Sequence, residues 1–138
     1  MNYLLDTCLI SELRKPKPNQ SVLDWFNNAD ENSLFISSLT IGELCYGITL
    51  LPESDKKNEI QLWLEEMKDS FTDQVIGIDD NIAHCWGVMR ATAQRSGRSL
   101  GVIDGLLAAT CQIHKLVLVT RNIQDFNSTG ISLFNPWS

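Results

Sequence analysis

Short apolar runs alternate along the chain with longer stretches in which apolar residues recur every three or four positions. Tyr3-Leu4-Leu5 is a strand-like run closed by Asp6-Thr7, and a short helix is predicted after it. That helix must stop before Lys15-Pro16-Lys17-Pro18, because the residue before a proline is driven out of the helical region. Ser21 to Asn28 predicts a brief helix and Leu34-Phe35-Ile36 a second strand. Thr40 to Leu51 predicts a helix with Ile41, Leu44, Cys45 and Ile48 as its buried stripe, ended by Pro52. From Ser54 to Phe71 the residues Ile60, Trp63, Leu64, Met67 and Phe71 mark one buried face of an otherwise charged helix. A strand is predicted near Val75 to Ile78, then a helix from Asp80 to Ser96 capped by Gly97, and a helix from Ile103 to His114. The run Leu116-Val117-Leu118-Val119 predicts a fully buried strand, and Ile131 to Phe134 a last one. Strands alternating with helices predict an α/β fold of three layers, α/β/α, around a central, mostly parallel sheet of about four to five strands.

At 138 residues, 43% hydrophobic and 20% charged, the chain has the make-up of one globular domain, spanning 1–138, and is neither disordered nor fibrous. It contains no run of about 18 apolar residues, and Met1 to Asp6 lacks a basic leader, so a cytoplasmic location and no membrane partner are expected. Cys8, Cys45, Cys85 and Cys111 form no close pair, which removes zinc-ribbon and dithiol readings and leaves them as reduced core thiols.

The formal charge of −6 argues at first against a nucleic-acid partner. Its distribution changes that. All of it resides between Glu53 and Asp80, where nine acids meet three lysines. The remaining basic residues gather near 14 to 17, 90 to 98 and 115 to 121, and a face shared by those clumps could attract phosphates.

Binding sites of parallel sheets lie beyond the carboxyl ends of the strands, and there this chain is acidic. Asp6 follows the first strand, Glu43 starts the helix after the second, Asp104 opens the helix after Gly101-Val102, and Asn122 and Asp125 follow the late strand. Each has an ordinary explanation. Asp6 could cap a helix, Thr40 and Glu43 have the spacing of a capping box, and Asp125 could organise a turn. Asp104 resists one, because at helical spacing it shares a face with Leu107, Ala108 and Cys111. Two carboxylates about 5 Å apart repel by roughly 3 kcal/mol at an effective dielectric of about 20, so four together demand neutralisation. Raised pKa values, basic neighbours or divalent cations could provide it, and oxygen-only ligands select Mg²⁺ or Mn²⁺ over zinc. Such a site suits phosphodiester hydrolysis. Asp6→Asn should stabilise the cation-free chain by relieving repulsion while destroying activity, an outcome that a helix-capping Asp6 would reverse.

His84 and His114 are placed for structural roles, and neither a GxSxG elbow nor a GxxxxGK[ST] phosphate loop is present. A D-x-D phosphatase is disfavoured because Cys8 occupies the second acidic position.

Four segments carry a family likeness: Leu4-Leu5-Asp6-Thr7-Cys8-Leu9-Ile10, Thr40-Ile41-Gly42-Glu43-Leu44, Val102-Ile103-Asp104-Gly105-Leu106-Leu107-Ala108, and Val119-Thr120-Arg121-Asn122 through Asp125-Phe126. In this order they resemble the PIN-domain ribonucleases, closely the VapC toxins, and Phe134-Asn135-Pro136-Trp137 resembles the FitB-type subgroup. The resemblance implies a PIN fold, Mg²⁺-dependent cleavage of single-stranded RNA (with Mn²⁺ as a substitute), and homodimerisation. It also implies neutralisation by a cognate VapB- or FitA-like antitoxin, through which operator DNA is bound. It assigns Asp6, Glu43 and Asp104 as metal ligands, Asp125 as a further catalytic acid, and Thr7, Thr120 and Asn122 as supporting residues. Cys8 replaces the usual Asn of the family, and Asn122 stands where many relatives carry an acid. Those departures sustain a second reading, a weakly active or inactive PIN-fold partner in a DNA-bound FitAB-like complex.

Overall fold

Leu4 and Leu5 set the frame. In an extended strand neighbouring side chains point to opposite faces, and both leucines are fully buried. In the computed structural model, which describes residues 1–138, five strands form one sheet. They are β1 (Tyr3–Leu5), β2 (Leu34–Ser37), β3 (Val75–Ile76), β4 (Val117–Val119) and β5 (Leu133–Phe134), in the order β3-β2-β1-β4-β5. Every pairing is parallel, with Leu4 opposite Phe35 on one side and Leu118 on the other.

Seven helices cover the two faces: α1 (Thr7–Arg14), α2 (Gln20–Asn28), α3 (Ser38–Thr49), α4 (Asp55–Ser70), α5 (Asp80–Arg95), α6 (Val102–His114) and α7 (Ile123–Phe126). Leu5 and Val119 pack with Leu9, Val22, Leu44 and Leu64, so α1 to α4 close one face. Leu4 and Leu118 pack with Leu107, Ala108, Cys111 and Phe126, so α6 and α7 close the other, and α5 adds Ile82 and Cys85. Each fully buried leucine contributes about 1.5–3 kcal/mol of apolar transfer. The three layers and the parallel sheet are those expected from the alternation of runs.

The boundaries differ in ways with physical causes. The Ser37 hydroxyl accepts from Leu39 N–H, which starts α3 two residues before Thr40. The capping-box reading of Thr40 and Glu43 is therefore wrong, since both lie inside the helix. The third and last strands are shorter than predicted, because only two residues of each find ladder partners. Cys45 is exposed and no part of the α3 core stripe, which is carried by Thr40, Leu44 and Ile48. At the end of α3 the buried Lys57 donates to the carbonyls of Thr49 and Leu51 and to Glu53 Oε1, satisfying acceptors that the helix leaves open. Gly97, at φ +74°, ends α5: its N–H reaches Gln94 O and Arg98 N–H reaches Ala93 O, a Schellman cap.

Glu12 was not singled out by sequence pattern, yet it is only 5% exposed. It accepts from Asn19 N–H, Lys15 Nζ and Trp137 Nε1, pinning the chain's last residues to α1. Those donors hold its carboxyl below the ordinary range, the Asn19 N–H most of all.

Candidate functional site

β1 lies between β2 and β4, so the chain leaves it in opposite directions on its two sides, and a crevice opens at the carboxyl ends where the order switches. Asp6 sits in that crevice. Its N–H donates to Val119 O at 3.0 Å, extending the β1–β4 pairing by one step. Its side chain, in a residue 8% exposed, caps α1: Oδ1 accepts from Thr7 N–H at 2.8 Å. Oδ2 accepts from the buried Thr120 hydroxyl at 2.7 Å and from the Cys8 thiol at 3.6 Å. Thr120 in turn accepts from Asn122 N–H at 3.0 Å. Asp6 is thus clamped from two strand ends.

Thr7 has a second role. Its hydroxyl donates to Glu43 Oε1 at 2.7 Å and lies 3.0 Å from the buried Thr40 hydroxyl, so the start of α1 orients an acid of α3. Glu43 is otherwise exposed. Asp104 lies half-buried in the first turn of α6, where the helix dipole favours a carboxylate by about 0.3–1 kcal/mol. Desolvation outweighs that. Asp104 is held above the ordinary carboxylate range first by burial, then by the charges of Asp6, Asp125 and Glu43. The acids from four elements are therefore close enough in space for three of them to bias the proton of the fourth.

None of these carboxylates has a basic partner; the chain's three ion pairs are Lys15–Glu12, Lys57–Glu53 and Lys68–Glu65. No three acidic, histidine or cysteine side chains are grouped closely enough to enclose an ion as they stand. Asp125, in the short α7, is exposed and makes no side-chain hydrogen bond, whereas Asn122 acts through its backbone N–H on Thr120. His84 and His114 are exposed on α5 and at the end of α6.

β4 separates Lys115, before the strand, from Arg121, after it, so the clump near 115 to 121 is divided between the two ends of the sheet. Arg121 lies over Trp137 and Arg90 over Trp86. Arg98 has a different place, lining with Asp104 and Asp125 a cleft without any hydrophobic wall.

The cysteines also divide. Burial, then Asp6, pushes the Cys8 thiol up to about 11 and the Cys111 thiol up to about 12, and burial raises Cys85. Cys85 and Cys111 are core thiols, Cys8 is half-buried beside Asp6, and Cys45 is exposed. Iodoacetamide at neutral pH should therefore label Cys45 in the folded chain and leave Cys8 more than about 100-fold slower, because the thiolate is the nucleophile. Peptide mass mapping reads this out, and equal labelling of Cys8 would contradict the described environment.

The PIN domain family matches residues 3–131. The Toxin FitB of Neisseria gonorrhoeae is 33% identical over 135 residues, covering 97% of each chain. A VapC ribonuclease of Sinorhizobium fredii is 32% identical, covering 97% of this chain and 96% of its own. The solved structure of FitAB bound to the IR36 DNA fragment contains a chain that superposes with a TM-score of 0.93 at 30% identity, covering 99% of this chain and 96% of that one.

Proposed function

This chain belongs to the PIN-domain family, and from that premise we propose that it is a Mg²⁺-dependent endoribonuclease, the toxin of a toxin–antitoxin pair. The observation that carries the reading is Asp104, a half-buried carboxyl raised first by burial and then by three other acids, and paired with no base. Folding such a group without compensation is unfavourable, and a hard divalent cation is the compensation its oxygen-only surroundings suit. The neighbouring Cys8 fits the same view, since its thiol stays protonated and donates to Asp6.

Asp6, Glu43 and Asp104 would hold the ion. Bound there, Mg²⁺ or Mn²⁺ would supply positive charge against the phosphodiester during in-line displacement. The protein's own part is orientation. Thr7 N–H and Thr120 aim the two oxygens of Asp6, and the Thr7 hydroxyl aims Glu43. Asp125 adds negative charge beside Asp104, keeping that end of the site attractive to a cation. Asp125, rather than Asn122, would be the fourth acid, because its charge reaches Asp104 while Asn122 acts through its backbone on Thr120.

Two arrangements reported for relatives extend the proposal: the FitAB structure contains DNA, and FitB is named a toxin. A cognate antitoxin, operator DNA reached through it, and a homodimer are proposed for this chain too. No helix is long and apolar enough to cross a membrane, and a cytoplasmic site of action is part of the proposal. An inactive regulatory role is less well supported, since the Cys8 and Asn122 departures leave all four acids in place.

The test uses antitoxin-free protein, single-stranded RNA and Mg²⁺ with or without EDTA. Cutting that stops with EDTA is the expected result; failure to cut, with no Mn²⁺ binding by calorimetry, would support the regulatory role instead. A saturating cation should also raise the melting midpoint, by about 2.7 kcal/mol of stability at 100 times its Kd. Thr7→Val isolates the orienting hydroxyl: it should lower activity about 10- to 100-fold, as loss of a group that aims a metal ligand does, and Thr7→Ser should restore it. An unchanged rate in Thr7→Val would show that Glu43 needs no such support.

A further inference from the structure

Beside the acids lies a polar cleft of about 620 Å³ between the entry to α6 and the segment through α7, and its wall includes Arg98, Asp104, Gln124, Asp125, Asn127 and Ser128. No hydrophobic side chain lines it. We propose that this cleft is a subsite for the nucleotide flanking the scissile phosphate, with Arg98 taking that nucleotide's phosphate and the amides of Gln124 and Asn127 reading its base. The inference rests on the ribonuclease reading above and deepens it.

Three observations carry it. Arg98 is an exposed guanidinium in no ion pair and over no aromatic ring, unlike Lys15, Arg90 and Arg121, although two carboxylates share its cleft. Its backbone is fixed, because its N–H closes the Schellman cap on Ala93 O, so the side chain projects from a defined turn. The rest of the wall consists of amides and hydroxyls, which can both donate and accept and so suit the edges of an unpaired base. A guanidinium fork matches a phosphate in two hydrogen bonds, and in a chain of net charge −6 it provides a local anchor that bulk charge does not.

The experiment measures kcat and KM for a single-stranded oligoribonucleotide in Mg²⁺ at several NaCl concentrations. Arg98→Ala should raise KM about tenfold with kcat within about twofold, since a flanking contact binds ground and transition states alike. It should make the negative slope of log(kcat/KM) against log[NaCl] shallower by about 0.7, the value of one phosphate on a single strand. Arg98→Lys should keep that slope, and Arg95→Ala, which removes an exposed charge outside the cleft, should match the unaltered protein. Gln124→Ala and Asn127→Ala should shift which base is preferred beside the cut. Arg98→Gln repeats the measurement should the alanine variant melt early. An Arg98→Ala chain with unchanged KM and slope overturns the subsite, as does a fall in kcat alone, which would place Arg98 on the reacting phosphate. A loss confined to antitoxin affinity also overturns it, assigning the cleft to a protein partner. An unaltered protein that cuts no RNA defeats the ribonuclease reading itself.

Discussion

Asp104→Asn is expected to abolish RNA cleavage and, in the same molecule, to raise the melting temperature of the metal-free chain. The activity loss should reach about 10³-fold, the equivalent of about 4 kcal/mol, because one carboxylate of the proposed ion site and its charge are removed. The stability gain has an independent cause. In the folded chain this carboxyl is raised from its ordinary 3.8 by desolvation and then by Asp6, Asp125 and Glu43, so folding opposes its ionisation. A folded-state pKa above the unfolded one means that, across the interval between them, the native chain holds a proton the unfolded chain has released. Stability therefore falls as pH rises from 3.8 through the raised value, and above it the loss is complete. Asn has no such titration. Thermal melts of both chains in EDTA across the acidic range should show the unaltered protein losing ground with rising pH relative to the variant. Coincident curves would show that Asp104 feels no such field.

Asp6→Asn should destroy activity about as completely while destabilising the chain. Relief of repulsion is the smaller effect here, contrary to the expectation based on charge alone. Asp6 Oδ2 is the acceptor for Thr120 Oγ1, which also accepts from Asn122 N–H. An amide placed at Oδ2 faces the buried Thr120 hydroxyl proton with a donor, and that mismatch costs about 1–3 kcal/mol. The cap on Thr7 survives through Oδ1, since Asn caps as well as Asp. The midpoint should fall by roughly 5 °C in EDTA, measured beside Asp104→Asn under one buffer. Two acids of one site would then share an activity phenotype and differ in the sign of their stability effect. A rise in the Asp6→Asn midpoint would mean that repulsion, rather than the clamp, governs Asp6.

The sheet was legible because its strands are nearly continuous apolar runs, as burial on both faces requires, and because each but the last is followed by a helical period. Asp6 was legible for the same reason, since a carboxylate directly after a strand lies at the edge where parallel sheets bind, and Glu43 and Asp125 follow later strands within a helical turn or two. Asp104 carried the clearest mark, a charge at the spacing of Leu107, Ala108 and Cys111, and the structure places it half-buried above those residues. Where pattern failed, the tertiary partners decided. Cys45 has the spacing of a core residue, but the face of α3 that packs inward is the row Thr40, Leu44 and Ile48, which leaves Cys45 exposed. Lys57 lies in the stretch whose pattern marks a charged face and Glu12 is marked by no pattern, yet each is buried by partners supplied from other segments.

Local chemistry along the chain was enough to specify a parallel sheet of about four to five strands, the helices between them, one acidic edge and a family likeness. The order of strands, with β1 in the middle, was decided by three-dimensional packing, and it is this order that brings Asp6, Glu43, Asp104 and Asp125 within each other's fields. Which hydroxyl serves which carboxylate, and that Arg98 shares a cleft with Asp104 and Asp125, was likewise a tertiary outcome. Periodicity records which side of an element is buried, but a hydrogen bond between Thr120 and Asp6 spans 114 positions and leaves no trace in either local pattern.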